Sequence, residues 1–367
     1  MFTEESSNTV FFEQMDMPYV NRVGFFNAVE EAQAHIARTK IPFIRDTHQL
    51  AGVLHLRHRD LFRVLRNANR YYVPATLKKK NGGIRRIHAP MVTLKETQRY
   101  ILTEILDFLP ISIYAKAYRK GSHLTDNANP HCRKRFLLKM DLQDFFPSIR
   151  FDQVLRTAFH SGYFPRHIGA MLTTLCCFED VLPQGAPTSP ALSNVVMRHF
   201  DDVFGAYCER QGLSYTRYCD DITVSGDKPL YAAYAKARAL LEKEGFTVNE
   251  KKTRFVTNAN RQTVTGLTVN EAPHVPREYR RALRQELHYL FTYGPIDAIV
   301  RGGRTEFYSK DDPEYQAMRY LDSLEGRVQY VLSAQPDAYY WLEARAKLHA
   351  LRRRLMEYAP HYRPFFE

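Results

Sequence analysis

The amino-acid sequence predicts an α+β fold in which a central region of strands and helices is flanked by helical ends. Near the start and again beyond Pro276, apolar residues recur at helical spacing, as in residues 25–38 and 58–69. Between these ends, short β-rich runs bounded by turn residues alternate with further helical segments, and the chain contains no internal repeat. At 367 residues it exceeds the usual size of one domain, so we expect two or three subdomains.

The elements follow in order from periodicity and turn signals. Apolar spacing and alternation define the helices and strands, while Asn-Gly-Gly, Pro110 and the Gly/Pro-rich residues 185–190 mark breaks. The pattern predicts helical residues 1–70, a strand–turn–strand unit over 71–90, a helix over 94–109, a strand over 137–141, helical residues 152–177, a helix over 191–205, a hairpin over 213–225, a helix over 230–245, a second hairpin with strands near 253–256 and 262–269, and a helical region over 276–367.

The first helix after Pro276 is amphipathic. Leu283, Leu287 and Leu290 share one face with Tyr279. The basic residues lie largely on other faces: Arg277, Arg280, Arg281 and Arg284.

Positive charge is concentrated in one part of the chain. The net charge is +12, yet residues 40–140 alone hold 21 Lys or Arg against six Asp or Glu. Tyrosines and phenylalanines such as Phe62, Tyr100 and Tyr118 are interleaved with these charges. This combination is typical of a surface that binds a polyanion, and we favour nucleic acid. A solvated face that only aids solubility is the alternative.

Composition also indicates the compartment. No apolar stretch approaches the roughly 20 residues of a membrane span, so no membrane is expected among the partners. The acidic start lacks the basic and apolar segments of a signal peptide, which predicts a cytoplasmic protein. The five cysteines include no Cys-x-x-Cys pair and indicate neither a disulfide framework nor a zinc site.

The most informative short segment is residues 218–221, Tyr-Cys-Asp-Asp, which puts Asp220 and Asp221 at the tip of a predicted hairpin. Two-residue hairpin turns favour Asn-Gly or Asp-Gly, because they need positive φ and no extra charge. Two like charges in a small space are costly unless a cation neutralises them. The pair therefore suggests a metal site, with Mg2+ the first choice because carboxylates and substrate phosphates are its usual ligands. An exposed acidic turn is the alternative.

A third carboxylate strengthens the metal hypothesis. Asp141 ends the predicted strand 137–141 and lies 79 residues before Asp220. Neighbouring strands could bring these carboxylates together, as two-metal phosphoryl transfer requires. Asp144 ranks lower, because an Asp three residues further on ordinarily caps the turn or helix that follows.

Four blocks of the sequence, in order, resemble the palm motifs of reverse transcriptases, and most closely those of the bacterial retron enzymes. They are residues 141–149 (Asp-Leu-Gln-Asp-Phe-Phe-Pro-Ser-Ile), 182–190 (Leu-Pro-Gln-Gly-Ala-Pro-Thr-Ser-Pro), 218–221 (Tyr-Cys-Asp-Asp) and 245–253 (Gly-Phe-Thr-Val-Asn-Glu-Lys-Lys-Thr). The resemblance implies a right-hand polymerase fold. Residues 1–70 would then be an N-terminal helical region, 71–275 the fingers and palm, and 276–367 a helical thumb.

The resemblance also implies catalytic roles. Asp141, Asp220 and Asp221 would bind two Mg2+ ions, with Asp221 ranked last among the direct ligands. Lys252 would protonate the pyrophosphate as it leaves, and the adjacent Lys251 is an alternative.

Further residues would bind the incoming deoxynucleotide. Lys80 and Arg85 are suited to clasp its triphosphate, and Arg86 could replace Arg85 by a register shift. Phe146 matches the ring that lies beneath the sugar and would clash with a 2′-OH, although core packing is its ordinary role. Gln184 and Gly185 match the loop along the nucleotide, where glycine permits close backbone approach; the same loop could be only a helix start.

Two short patterns resemble retron enzymes in particular. Asn127 and His131 fit the Asn-Ala-x-x-His pattern, and Val264, Thr265 and Gly266 fit Val-Thr-Gly. Both would serve recognition of a structured RNA. An Asn-rich turn ending on a structural histidine and a strand with a bulge glycine are the alternatives. The basic thumb helix, with Arg277, Arg281 and Arg284, would follow a duplex backbone.

The retron resemblance implies a set of partners. They are deoxynucleotides, a cognate structured non-coding RNA, the branched RNA–DNA product (msDNA) primed from a guanosine 2′-OH, and a separately encoded effector in antiphage defence. The expected thumb leaves no length for an RNase H domain, so host RNase H would remove RNA. The alternatives are another bacterial reverse transcriptase, of the group II intron or abortive-infection type, and a non-catalytic RNA-binding scaffold that restrains a toxic effector.

Overall fold

The structure, a computed structural model, describes residues 22–78, 82–307 and 312–358. Its helices are α1 (Arg22–Thr39), α2 (Thr47–Val53), α3 (His58–Arg66), α4 (Val92–Glu104), α5 (Leu124–Ala128), α6 (Phe145–Ser148), α7 (Phe151–Thr157), α8 (Arg166–Cys176), α9 (Ser189–Arg210), α10 (Tyr231–Lys243), α11 (Arg277–Tyr293), α12 (Pro295–Arg301), α13 (Pro313–Ala334) and α14 (Tyr339–Tyr358). Its strands are β1 (Tyr72–Lys78), β2 (Ile84–Pro90), β3 (Phe136–Asp141), β4 (Ser214–Tyr218), β5 (Asp221–Gly226), β6 (Arg254–Thr257), β7 (Thr263–Val264) and β8 (Leu267–Thr268).

These elements confirm the α+β class. The chain divides into two compact units. One comprises residues 1–110 and 149–192, and the other comprises residues 111–148 and 193–367. No helix in the described part of the chain is long and apolar enough to cross a membrane.

The first unit contains the antiparallel hairpin β1–β2 and helices α1–α4, α7 and α8. Leu61 and Val64, three positions apart on α3, are both buried. The rest of this helix carries several charged residues, as in an amphipathic helix. The predicted helix 94–109 is wrong at its end: α4 stops at Glu104, and a 3₁₀ turn at Leu106–Phe108 follows before Pro110. Gln98 of α4, fully buried, donates to the Leu175 carbonyl at 2.8 Å and so joins α4 to α8.

The second unit contains a four-stranded antiparallel sheet with strand order β4–β5–β3–β6. Strand β5 is buried along almost its whole length, as its central position requires. Strand β3 pairs with β5 on one side and β6 on the other. This sheet carries the acidic residues singled out from the sequence.

The predicted second hairpin is wrong. Strand β6 pairs with β3, and residues 262–269 instead form their own two-stranded hairpin, β7–β8. Thr265 and Gly266 have φ of +45° and +83°, and positive φ at both central residues is the geometry of a tight hairpin turn. The alternation along 262–269 therefore belongs to two short strands joined by this turn.

One hydrophobic cluster in the second unit joins the sheet to the C-terminal helices. Leu137 of β3, Val264 of β7 and the predicted core residues Leu283, Leu287 and Leu290 of α11 all belong to it. Helix α11 is capped at its C-terminal end by Gly294, whose φ of +83° is natural only for glycine. The amphipathic prediction for this helix is confirmed.

Candidate active site

The acidic residues lie at the end of the β4–β5 hairpin, as the sequence predicted. Tyr218 and Asp221 are the last paired residues, so Cys219 and Asp220 form a two-residue turn. Cys219 has a φ of +60°, a conformation that glycine adopts freely and a cysteine only at a cost of about 1–3 kcal/mol. The turn is therefore strained at the residue that precedes the two carboxylates.

Strand pairing brings the third carboxylate to the same place. Asp141, the last residue of β3, is directly opposite Asp221 in the antiparallel register. The next residue, Leu142, donates its backbone N–H to the carbonyl of Asp220 at 3.1 Å. Residues 80 positions apart in sequence thus meet because β3 ends and β5 begins at the same edge of the sheet.

A loop after α10 brings a lysine to this edge. Gly245, with a φ of +84°, ends α10, and the chain then runs beside β3, where Asn249 donates its N–H to the Asp141 carbonyl at 2.8 Å. Lys252 follows, and its Nζ lies 2.8 and 2.9 Å from the two carboxylate oxygens of Asp141. Among the described contacts, Lys252 rather than Lys251 reaches the acidic cluster.

The electrostatics of the cluster favour a bound cation. Burial raises the pKa of Asp221, and the carboxylates of Asp220 and Asp141 raise it further. The hydrogen bond to Asp141 is the main cause of the raised pKa of Lys252. Asp141 and Asp221 border a cavity of about 190 Å³, which is also lined by Lys139, Met140, Lys252 and Arg254.

The residues fit a divalent ion in part. Asp141 and Asp221 both line one cavity, and burial together with the neighbouring carboxylates raises the pKa of Asp221, an unfavourable effect that a divalent cation would relieve. Among the described residues, however, no three His, Cys, Asp or Glu side chains are close enough to hold a metal together. Asp220 does not line the cavity, and Lys252 bonds both oxygens of Asp141. The ammonium of Lys252 is thus the cation that balances Asp141 in this arrangement.

The two phenylalanines after Asp144 differ in environment. Phe145 is 4% exposed and packs against Phe246, with ring centroids 6.0 Å apart, whereas Phe146 is only half-buried. The more accessible ring is the one predicted to lie beneath the sugar. Asp144 directly precedes α6, and its carbonyl accepts the Ser148 N–H at 2.9 Å.

In the first unit, the predicted nucleotide loop is attached to β2. The Gln184 carbonyl accepts the His88 N–H at 2.8 Å. Gly185 has a φ of +120°, and a Cβ built on it would lie 3.1 Å from the His88 carbonyl oxygen. Glycine therefore avoids both a strained backbone and a close contact at this position. Arg85 lies on β2 opposite Leu77, and Lys80 lies outside the described residues.

The Asn-Ala-x-x-His pattern lies inside the second unit. His131 is fully buried, and its two ring nitrogens lie 2.7 Å from the Ser225 hydroxyl on β5 and 2.8 Å from the Thr216 hydroxyl on β4. Burial lowers the pKa of His131 to about 3, so the ring is neutral. Neither His131 nor Asn127, which is 1% exposed, can contact RNA directly in this structure. An effect of these residues on RNA use would have to act through the hairpin.

The Val-Thr-Gly pattern is the β7–β8 turn. Val264 is buried, whereas Thr265 is half-buried and Gly266 is exposed. The Asn127 amide donates to the Thr265 hydroxyl at 3.4 Å, which joins the two retron-like patterns although they are 138 residues apart. The turn is not the bulged strand considered from sequence.

The predicted thumb arginines are accessible. Arg277, Arg281 and Arg284 are all exposed on α11. Arg284 also lies over the rings of Tyr340 and Trp341, at 5.1 and 5.2 Å from their centroids. A basic surface on this helix is thus present, as the sequence indicated.

Sequence reasoning missed one group beside the hairpin: a fully buried pair, Arg217 of β4 and Asp201 of α9. The signal was present in the pattern. Asp201 takes a core position on its helix, four residues after buried Met197 and three before buried Phe204, and Arg217 stands in a strand with buried neighbours.

Comparisons with known proteins agree with the motifs. The family model described as reverse transcriptase (RNA-dependent DNA polymerase) matches residues 77–290. The retron Mx65 reverse transcriptase of Myxococcus xanthus is 37% identical over 284 residues, which cover 70% of this chain and 65% of the relative. The retron Ec86 reverse transcriptase of Escherichia coli is 32% identical over 293 residues, covering 78% of this chain and 91% of the relative.

The match to a further relative covers a smaller part of both chains. The retron Mx162 reverse transcriptase of Myxococcus xanthus is 32% identical over 254 residues, covering 59% of this chain and 52% of the relative. The chain thus spans about two thirds of the Mx65 enzyme, half of the Mx162 enzyme and nearly all of the Ec86 enzyme.

Proposed function

Because this chain belongs to the reverse transcriptase family, the RNA-directed DNA polymerases, and within it to the bacterial retron enzymes, we propose that it copies part of a cognate structured non-coding RNA into DNA. Synthesis starts from a guanosine 2′-OH in that RNA and leaves a branched RNA–DNA product. The fold is the right-hand polymerase fold of this family. Within it, residues 71–275 serve as fingers and palm, residues 276–367 as the thumb, and residues 1–70 as an N-terminal helical region.

One observation carries the proposal: β3 ends on Asp141 directly opposite Asp221, the first residue of β5, and Lys252 contacts the carboxylate of Asp141. Reverse transcriptases use divalent metal ions, and the proposed pair here is Mg2+, which Asp141, Asp220 and Asp221 would hold. Two such ions, when bound, would activate the attacking hydroxyl and stabilise the leaving pyrophosphate. Lys252 is the proposed donor of a proton to that pyrophosphate, and its raised pKa, caused chiefly by the hydrogen bond to Asp141, supports a charged ammonium there.

Other residues select and hold the nucleotide. Phe146 excludes a 2′-OH by contact, and its partial exposure supports that role. The Gln184–Gly185 backbone runs along the nucleotide, and the triphosphate is held by Lys80 and Arg85, or by Arg86 in place of Arg85.

The RNA is recognised through the thumb and the β7–β8 turn. Arg277, Arg281 and Arg284 contact phosphates, and their common exposure on α11 supports this role. Thr265 and Gly266 offer an accessible turn, which Asn127 orients. The finer proposals are a cytoplasmic site of action, a separately encoded effector in antiphage defence, and removal of copied RNA by host RNase H.

The test is to express the chain with the structured RNA encoded next to its gene. We expect a DNA whose size falls when RNase is added, because RNA remains attached through a 2′–5′ branch. If purified protein extends a generic primer on an RNA template but no branched DNA forms, the retron part of the proposal is wrong. If neither an extended primer nor branched DNA forms, the polymerase proposal is wrong and the result favours the non-catalytic RNA-binding scaffold.

A further inference from the structure

The buried pair Arg217–Asp201 is bonded more completely than a simple ion pair. Arg217 Nε donates to both Asp201 oxygens at 2.9 and 3.1 Å, and Nη2 donates to Asp201 Oδ2 at 2.6 Å. The same Nη2 lies 3.2 Å from Asn194 Oδ1, and the Tyr215 hydroxyl donates to Asp201 Oδ1 at 2.6 Å. Both charged side chains have no exposed surface.

One nitrogen of the guanidinium does not bond Asp201 and instead donates to the acidic turn. Arg217 Nη1 donates to the backbone carbonyl of Cys219 at 3.0 Å. Cys219 is the residue with φ of +60°, and it directly precedes Asp220 and Asp221. A second contact comes from the Tyr118 hydroxyl, which donates to Cys219 Sγ at 3.2 Å.

A strained residue persists only where its surroundings hold it in place. Buried ion pairs contribute little net stability, because desolvation of both charges offsets their attraction, and apolar residues of similar volume often do as well. What apolar residues cannot supply is a rigid, planar donor aimed at the Cys219 carbonyl. The unusual composition of this site is therefore better explained by geometry than by stability.

We propose that Arg217, oriented by Asp201, is a positioning residue that holds the strained Cys219 turn and thereby sets where Asp220 and Asp221 point. Arg217 touches no reacting atom. It acts through the Cys219 carbonyl, on the backbone that carries both carboxylates. The inference rests on the proposed polymerase function of that site.

Two variants separate this role from general stability. Arg217→Lys keeps a positive charge beside Asp201. A single ammonium, however, lacks the planar set of donors with which the guanidinium bonds both Asp201 and the Cys219 carbonyl. The triple variant Arg217→Met, Asp201→Leu, Tyr215→Phe removes the buried charges and their hydroxyl partner together, so no charge is left uncompensated. Leu61→Ala, a core truncation in the first unit, is the control for lost stability.

The assay is primer extension by purified protein, with kcat expressed per folded molecule from circular dichroism and with a Mg2+ titration. We expect both Arg217 variants to lose about 10- to 100-fold in kcat, as outer partners of ligating residues do, and to need more Mg2+ for half-maximal rate. KM for deoxynucleotide and the Kd for primer–template measured without metal stay unchanged. Leu61→Ala keeps the wild-type kcat.

Wild-type kcat in the folded triple variant overturns the proposal. If the triple variant does not fold, Arg217→Lys decides, and wild-type kcat in it has the same meaning. A Kd for primer–template that weakens in parallel with kcat also overturns it, because a general structural defect then explains the loss. If the wild-type chain itself does not polymerise, the proposed function fails instead.

Discussion

Replacing His131 by alanine should destabilise the protein and lower the rate of DNA synthesis to a similar extent on every template. The imidazole is fully buried and bonds the hydroxyls of Thr216 and Ser225 on the two strands of the catalytic hairpin. Each buried hydroxyl left without its partner costs about 1–3 kcal/mol, so the two together predict a loss of about 2–6 kcal/mol. Urea unfolding at pH 7.5 measures it, with the exposed His167→Ala as the matched control.

The destabilisation should depend on pH with a definite sign. Burial lowers the pKa of His131 from 6.5 to about 3, so the unfolded chain binds a proton that the folded chain does not. The buried neutral imidazole of the wild-type protein therefore contributes fully to the free energy of unfolding above pH 6.5. Below pH 6.5 the free energy of unfolding falls by about 1.4 kcal/mol for each pH unit. His131→Ala lacks the group, so its deficit relative to wild type should shrink between pH 7.5 and pH 5.5. An unchanged deficit would refute the assignment of a buried neutral imidazole.

The same variant tests how this residue affects RNA. Since the hairpin serves every template, we expect similar fractional losses on a generic primer–template and on the cognate structured RNA. A loss confined to the cognate RNA would contradict this reasoning and would support the direct recognition role predicted from sequence.

Three further predictions test the site. Phe146→Ala should relax discrimination against ribonucleotides, measured as the ratio of kcat/KM for dNTP and rNTP; an unaltered ratio rejects the steric role. Lys252→Met should lower kcat by about 10²- to 10⁴-fold, as loss of a general acid does, whereas Lys251→Met should not; the reverse result would assign the proton to Lys251. Gly185→Ala forces a side chain at φ +120° against the His88 carbonyl and should cost about 1–3 kcal/mol in thermal unfolding; an unchanged Tm contradicts that strain.

Local signals were sufficient for much of the fold. The strand ending on Asp141 and the hairpin carrying Asp220 are both observed, because an apolar run that ends on an acidic residue and two β-rich runs around a short acidic segment are local patterns. The amphipathic helix α11 follows for the same reason. The resemblance to family motifs then predicted the site that these elements form.

Long-range partners could not be obtained in this way. The pairing of β6 with β3 joins residues more than 100 positions apart, and no local pattern distinguishes it from pairing with 262–269. Lys252 and Lys251 are equivalent by composition, and only the contact with Asp141 separates them. Arg217 and Asp201 are 16 positions apart on different elements, a strand and a helix, so their pairing was visible only as two charges at core positions.

The most direct test of the polymerase assignment is extension of a DNA primer on an RNA template by the wild-type chain and by the double variant Asp220→Asn, Asp221→Asn. The substitutions remove the charge of Asp220 in the turn and that of Asp221 at the start of β5, and they keep the size of each side chain, so a folded protein that binds primer–template is expected. With Mg2+ and deoxynucleotides present, the wild-type chain should extend the primer and the double variant should not. Equal DNA yields from the two proteins would contradict the assignment of these aspartates to catalysis.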